Sequence, residues 1–241
     1  MSNLAVKRIL SDLKIVKSNQ LDKHNIFVST NDEDIYNIKA MIIGPDDTPY
    51  EGGFYFFDIN FPKNYPIEPP KAKFMTLNKD VRFNPNLYKC GKVCVSLLNT
   101  WSGPGWTTAC TLSAVLLSIQ SLLNERPIHN EPGWEKENGE KCKTYNDLLD
   151  YFNLKVGVIQ MIQDTPFGFE VFRDIMLKYY IDNFEKYMKF IDKRMDKNGE
   201  QKYLKLYSMS SKLDYSAVHE NMIMIYSEFD NIYKWISKTN I

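Results

Sequence analysis

The sequence predicts an α+β protein: an N-terminal helix, a four-stranded antiparallel meander, a central helix and a C-terminal all-helical extension. Three observations carry this. Short runs of strand-like residues recur between positions 25 and 76, separated by Gly, Pro and Asp clusters. Helical spacing of apolar residues brackets those runs, over 4–18 and 112–123. From about residue 143 strand signals vanish and helical spacing takes over. The chain of 241 residues suits one domain of about 150 residues plus an appendage. The expected division is a domain over 1–142 and an extension over 143–241.

Each element has its own signal. Leu4, Ile9, Leu10, Leu13 and Val16 lie close to one helical face, with Lys7, Arg8, Asp12, Lys14 and Lys17 largely elsewhere. "NIFVST" (25–30) reads as a strand that turns at 31–34 into "IYNIKAMII" (35–43). "GPDDTPYEGG" (44–53) is a loop. In "FYFFDINF" (54–61), Tyr55, Phe57, Ile59 and Phe61 share a face. "PKNYPIEPP" (62–70) holds four prolines in nine residues, which excludes regular structure. "KAKFMT" (71–76) is a short fourth strand, and the short connections favour a meander. Leu112, Val115, Leu116, Ile119, Leu122 and Leu123 predict a buried helix. Three more helices are expected at about 143–163, 168–195 and 214–238, the last burying Val218, Met222, Ile225, Phe229, Ile232 and Ile236. "KNGEQK" (197–202) separates the last two.

Bulk properties exclude several function classes. Thirty basic and thirty acidic residues cancel, so there is no electrostatic footprint for nucleic acid. No run of about 18 apolar residues exists to span a membrane, and no signal peptide or lipidation motif stands out. The expectation is a soluble cytoplasmic chain, with the nucleus as a second compartment. Its four cysteines are then expected as reduced thiols. The three histidines stand at no zinc-finger spacing, and Cys90-x3-Cys94 lacks a matching second half, so no metal site is expected.

The segment 77–107 keeps no period, and a stretch that long inside a compact domain is more often functional than idle. It contains "FNPNLYKCGKVCVSLL" (83–98). Cys90 and Cys94 could form a metal pair, a redox pair or a core pair, or one could be a nucleophile. Pro85 stiffens the turn around Asn84 and Asn86. An amide on a rigid turn, eight residues before Cys94, suits an oxyanion donor at an acyl thioester. The bland alternative is strong, because most lone cysteines are small core hydrophobes.

Several motifs together tip that balance. "YEGG" (50–53), "FDINFPKNYPIEPPKAKF" (57–74), "NPN" (84–86), Cys94 and "WTTACTLSAVLLSIQSLL" (106–123) resemble the ubiquitin-conjugating (E2) family in residue type and joint spacing, from residue 4 to about 133. The resemblance implies a UBC-like fold and an enzyme that carries ubiquitin or a ubiquitin-like modifier as a thioester. By resemblance Cys94 is the thioester cysteine, and Asn86 is the amide that steadies the oxyanion or supports its loop. Lys7 and Arg8 fall where family members meet the E1 activating enzyme. Ile67 and the run Trp106, Thr107, Thr108 and Ala109 match two loops that meet E3 ligases. An acidic gate residue is expected in "HNEP", with Glu131 the choice and Asn130 its neighbour. Four departures stand out: Asn84 in place of His, Ile67 in place of Phe, Thr107-Thr108-Ala109 in place of Ser-Pro-Ala, and an inserted Gly103-Pro104-Gly105. The first argues that the His is dispensable for chemistry; the others bear on partner choice.

The implied chemistry needs no metal or cofactor, since ATP is used by the activating enzyme. A free thiol of pKa about 8.5 is a few per cent ionised at neutral pH, enough for nucleophilic attack. Deprotonating an ordinary lysine there costs roughly 4–5 kcal/mol, which desolvation or a nearby carboxylate reduces. Cys90 reads as a tolerated loop residue or as the partner of a protective disulfide with Cys94. Two other readings stand beside the transferase: a non-catalytic adaptor that keeps the fold, and a cysteine hydrolase using Cys94 and His129 with Asn86 or Asn130. The extension reads as a packed lid or as a device that tunes which activating enzyme or modifier is accepted.

Overall fold

The computed structural model describes the backbone of residues 2–31 and 33–239, and the side chains of residues 4–30 and 33–230. Ile232 and Ile236 lie outside the described side chains. Helix α1 (Ser2–Ser18) turns Ala5 and Ile9 fully inward and half-buries Leu13 and Val16. Leu4 and Leu10, expected on that face, are instead exposed. At about 100° per residue the stripe centres on Ala5, Ile9, Asp12 and Val16, and leaves Leu4 and Leu10 to either side. Asp12 takes the inner place because its carboxylate is satisfied there. It accepts from Arg8 Nε at 3.0 Å, from the Tyr65 hydroxyl and from the backbone N–H of Leu112 at 3.3 Å.

The sheet is the expected meander: β1 (Ile26–Asn31), β2 (Asp34–Ile43), β3 (Phe54–Asn60) and β4 (Lys71–Phe74), in that order and antiparallel throughout. Ala40 of β2 faces Phe57 of β3, which in turn faces Phe74 of β4. Tyr55 and Phe57 pack toward Phe74, and Tyr55 also meets Phe83. The alternate residues Phe54 and Phe56 are also completely buried. That second buried face explains why "FYFF" does not alternate with polar residues.

Helix α2 (Leu112–Gln120) buries Leu112, Val115, Leu116 and Ile119. Its N-cap Thr111 accepts from the Ala114 N–H at 3.2 Å, while Asp12 serves Leu112. After a long connection over 121–139 that holds a 3-10 turn at Pro127–Asn130, α3 (Glu140–Phe152) continues through a π-helical stretch, Asn153–Gln160, into one last turn, α4 (Met161–Gln163). A single hydrophobic core runs across residue 142, joining Ile128 and Leu123 to Tyr145, Leu148 and Phe152.

The rest of the extension covers the Phe54/Phe56 face. The Phe169 ring lies tilted against Phe56 with centroids 4.9 Å apart, and Tyr179 meets Phe54 edge-on at 6.1 Å. Asn153, fully buried, accepts from the Tyr55 hydroxyl at 2.6 Å and donates to the Glu51 carbonyl at 2.9 Å. The Gly52-Gly53 pair makes this docking fit. A Cβ at Gly53 would lie 1.9 Å from Asn153 Oδ1, and one at Gly52 (φ +70°) 2.7 Å from the Tyr187 hydroxyl.

Two expectations in the extension need correction. The single helix over 168–195 is two, α5 (Arg173–Asp182) and α6 (Phe184–Asp192). Asn183, a weak helix former at φ −111° and ψ 12°, leaves the helical region between them. Strands also reappear after residue 143, in a hairpin of β5 (Gln201–Leu204) and β6 (Met209–Lys212). Four-residue strands are too short to show a period, and this hairpin holds by burying Leu204, Tyr207 and Met209. Helix α7 (Tyr215–Thr239) closes the described chain, burying Val218, Met222 and Ile225. Phe229 is half-buried against the same core.

Candidate active site

The irregular segment 77–107 is held by side chains in place of a continuous ladder. Asn84 is fully buried and makes four bonds. Its amide donates to the Tyr50 hydroxyl at 3.0 Å and to the Leu122 carbonyl at 2.7 Å. Its oxygen accepts from the Asn86 N–H at 3.0 Å and from Asn130 Nδ2 at 3.3 Å. The turn, the end of the central helix and the 130 loop therefore meet on one side chain.

A narrow hairpin follows. Leu87 bridges Val93, and the Tyr88 N–H donates to the Lys92 carbonyl at 2.9 Å. The turn closes at Gly91, whose φ of +90° suits glycine. Asn86 and Cys94 are opposite one another. The Cys94 N–H donates to the Asn86 carbonyl at 2.9 Å, and Asn86 Nδ2 returns a bond to the Cys94 carbonyl at 2.7 Å. Cys90 sits exposed near the hairpin tip, and both cysteines are free thiols.

Cys94 is 1% exposed but not sealed. It lines an open groove of about 440 Å³ together with Asn86, Trp101, His129, Asn130 and Glu135. Glu135 accepts from the Gly133 N–H at 3.0 Å, and its own and Gly133's backbone N–H groups hold its carboxyl below the ordinary value. His129 Nε2 lies 2.8 Å from the Glu137 carbonyl. A carbonyl only accepts, so that nitrogen carries the proton.

The expected site residues divide accordingly. Cys94, Asn86 and Asn130 come together in the groove. Glu131 does not line it; its carboxylate accepts instead from the Tyr207 hydroxyl at 2.7 Å. Glu135, four residues on, is the carboxylate in the wall. It lies outside "HNEP" and is itself exposed; the turn closed by the Trp134 N–H to the Glu131 carbonyl at 3.0 Å brings it to the edge of the groove.

The expected partner residues form a neighbouring surface. Ile67 is 70% exposed, and Thr107, Thr108 and Ala109 are exposed. Trp106 joins the two loops: its indole N–H donates to the Pro66 carbonyl at 2.8 Å. Lys7 is exposed, but Arg8 is engaged within the fold. Its guanidinium donates to the carbonyls of Thr108 at 2.7 Å and Cys110 at 2.6 Å, besides pairing with Asp12. Arg8 therefore ties α1 to the 107–110 loop and does not stand free beside Lys7.

Comparison with known proteins places this geometry. The family model described as "Ubiquitin-conjugating enzyme" matches residues 8–150. The chain is 41% identical over 201 residues to ubiquitin-conjugating enzyme E2 Z of Xenopus tropicalis, covering 83% of this chain and 64% of that protein. It is 43% identical over 177 residues to the Homo sapiens protein of the same name, covering 73% of this chain and 50% of that one. A putative ubiquitin-conjugating enzyme E2 39 of Arabidopsis thaliana is 43% identical over 160 residues, 62% of this chain and 49% of the plant protein. The chain thus spans between half and two thirds of the length of these E2 Z relatives.

Proposed function

The chain belongs to the ubiquitin-conjugating enzyme family, and from that premise we propose that Cys94 accepts ubiquitin or a ubiquitin-like modifier from an E1 activating enzyme as a thioester. The modifier then passes to a lysine of a protein substrate or to an E3 ligase. The observation that supports this reading is Cys94 in the lining of an open groove, cross-bonded to Asn86 at 2.7 and 2.9 Å. A flexible C-terminal tail fits such a groove.

In the first step the Cys94 thiolate attacks the modifier's activated carbonyl and the activating enzyme's thiol leaves. In the second a neutral amine attacks the new thioester, negative charge gathers on its oxygen, and collapse expels the Cys94 thiolate while the nitrogen gives up its proton to water. One Nδ2 hydrogen of Asn86 is committed to the Cys94 carbonyl; the other serves the oxyanion. Glu135 is the wall carboxylate that draws the incoming ammonium to the groove and orients it beside the thioester; the opposite charge by itself favours the protonated amine, so the ammonium gives a proton to water before it attacks. No cofactor takes part in either step, and ATP is consumed by the activating enzyme. Ile67 and Thr107–Ala109 form the face offered to a ligase, and Lys7 the point of approach for the activating enzyme. The reading places the chain in the cytoplasm or nucleus, where these partners act; among the described residues no helix is long and apolar enough to cross a membrane.

The experiment is charging. Incubation with activating enzyme, modifier and ATP gives an adduct on a non-reducing gel that thiol reductant removes and Cys94→Ala abolishes. No adduct with any activating enzyme points to an adaptor. Cleavage of modifier esters without ATP points to a hydrolase.

A further inference from the structure

Tyr207 lies in the turn of the β5–β6 hairpin, 113 positions after Cys94 in sequence, and touches both sides of the groove's framework. On one side its hydroxyl donates to Glu131 Oε2 at 2.7 Å. Glu131 is not a wall residue, but its neighbours Asn130 and Pro132 are. On the other side its ring lies 4.6 Å from the Arg82 guanidinium carbon, which also stacks 3.8 Å from the Tyr88 ring. Arg82 donates to the Pro85 carbonyl, within the turn that carries Asn84 and Asn86. Tyr145 completes the set, its ring 5.4 Å from that of Tyr207 and its hydroxyl donating to the Arg82 carbonyl at 2.7 Å.

We infer that Tyr207 is a positioning residue: through Glu131 and Arg82, the C-terminal hairpin holds the 130–132 loop and the Asn84–Asn86 turn at the separation that the second, aminolysis step requires. This deepens the proposed transferase reading and rests on it. The physical case is that both contacts are directional. The 130–132 loop belongs to no strand ladder and keeps its place through single bonds, such as those of Asn130 to Asn84 and to the Leu122 carbonyl. A charge-assisted bond to Glu131 anchors the outer side of that loop. Burial, and then the bond to Glu131, push the Tyr207 phenol above its ordinary value, so it remains a donor at neutral pH.

The test is single-turnover discharge of the Cys94 thioester to free lysine, measured against lysine concentration in the full chain. Tyr207→Phe keeps the ring on Arg82 and Tyr145 and removes only the hydroxyl. It is expected to lower the maximal discharge rate at least about fivefold, the effect of about one hydrogen bond, with melting temperature and half-saturating lysine little changed. Glu131→Ala is expected to lose a similar factor, and the double variant no more than either alone. Unchanged discharge in Tyr207→Phe, or two losses that simply multiply, overturns the inference. A role confined to stability lowers the melting temperature and leaves the rate below melting intact, which overturns it equally. If Tyr207→Phe does not fold, Glu131→Ala decides alone: a wild-type discharge rate sinks the idea. Failure of the wild-type chain to charge is separately visible and removes the transferase reading together with this one.

Discussion

The sheet face that meets the extension and the groove around Cys94 are secured in opposite ways. Behind the sheet, Phe54 and Phe56 meet the extension through area: Phe169, Phe172 and Tyr179 pack ring to ring on them. Around Cys94, order depends on a few polar side chains, Asn84, Asn86 and Asn130, each bonding to backbone or to one another. The difference follows from what each region must do. A packed aromatic layer is stable but leaves no opening. A groove that admits a peptide cannot be filled with side chains, so its walls must be held edgewise by directional bonds. Packed area thus dominates behind the sheet, and directional bonds dominate around Cys94.

Three measurements break or sharpen that contrast. The largest expected effect is Phe169→Ala, which empties a fully buried site against Phe56 and should cost about 3–5 kcal/mol. Denaturant unfolding checks it, and charging of Cys94 should persist under conditions where the variant remains folded. Asn84→Ala should act the other way round. It strips partners from the Asn86 N–H, Asn130 and the buried Tyr50 hydroxyl, a loss of roughly 2–3 kcal/mol. Its charging and discharge rates should fall more than those of Phe169→Ala at matched folded fraction. Equal rates would erase the division between the two regions.

The smallest effect concerns Asp147, on α3 between the two regions. Burial alone would raise its carboxyl, but Lys197 at 2.6 Å and Lys202 at 2.9 Å outweigh burial and hold it below the ordinary value. Its folded pKa is depressed, so its contribution is fully present above the unfolded value of about 3.9 and is lost as pH falls through the lower folded value. Thermal melts from neutral pH downward should show a shallower acid limb in Asp147→Asn than in the wild type. Parallel limbs would mean the ion pairs do not anchor the β5 end of the extension to α3.

Much of the sheet and the groove was readable in advance. The meander followed from runs punctuated by Gly, Pro and Asp, and the expected Cys94, Asn86 and Asn130 are neighbours in one groove. Asn84 illustrates the limit. Its replacement of a His was visible as a departure, and its bond from the Asn86 N–H is the local turn that Asn favours, but the other three reach residues 50, 122 and 130, which no spacing rule connects. Arg8 looked like a free cation beside Lys7, but the carbonyls it meets lie 100 and 102 positions away.

The sequence by itself determined the local matters: which segments alternate, where prolines forbid a ladder, which cysteine follows a stiff Asn-Pro-Asn turn, and that 54–57 is apolar at every position. Those depend on residue type and near neighbours, and period and turn chemistry report them directly. Only the tertiary structure decided that Glu135 and not Glu131 faces the groove, that Phe54 and Phe56 are covered by the extension, and that Tyr207 reaches the 130 loop. Such outcomes depend on which distant surfaces meet, and a side chain's direction at the end of a loop is set by partners that linear order does not reveal.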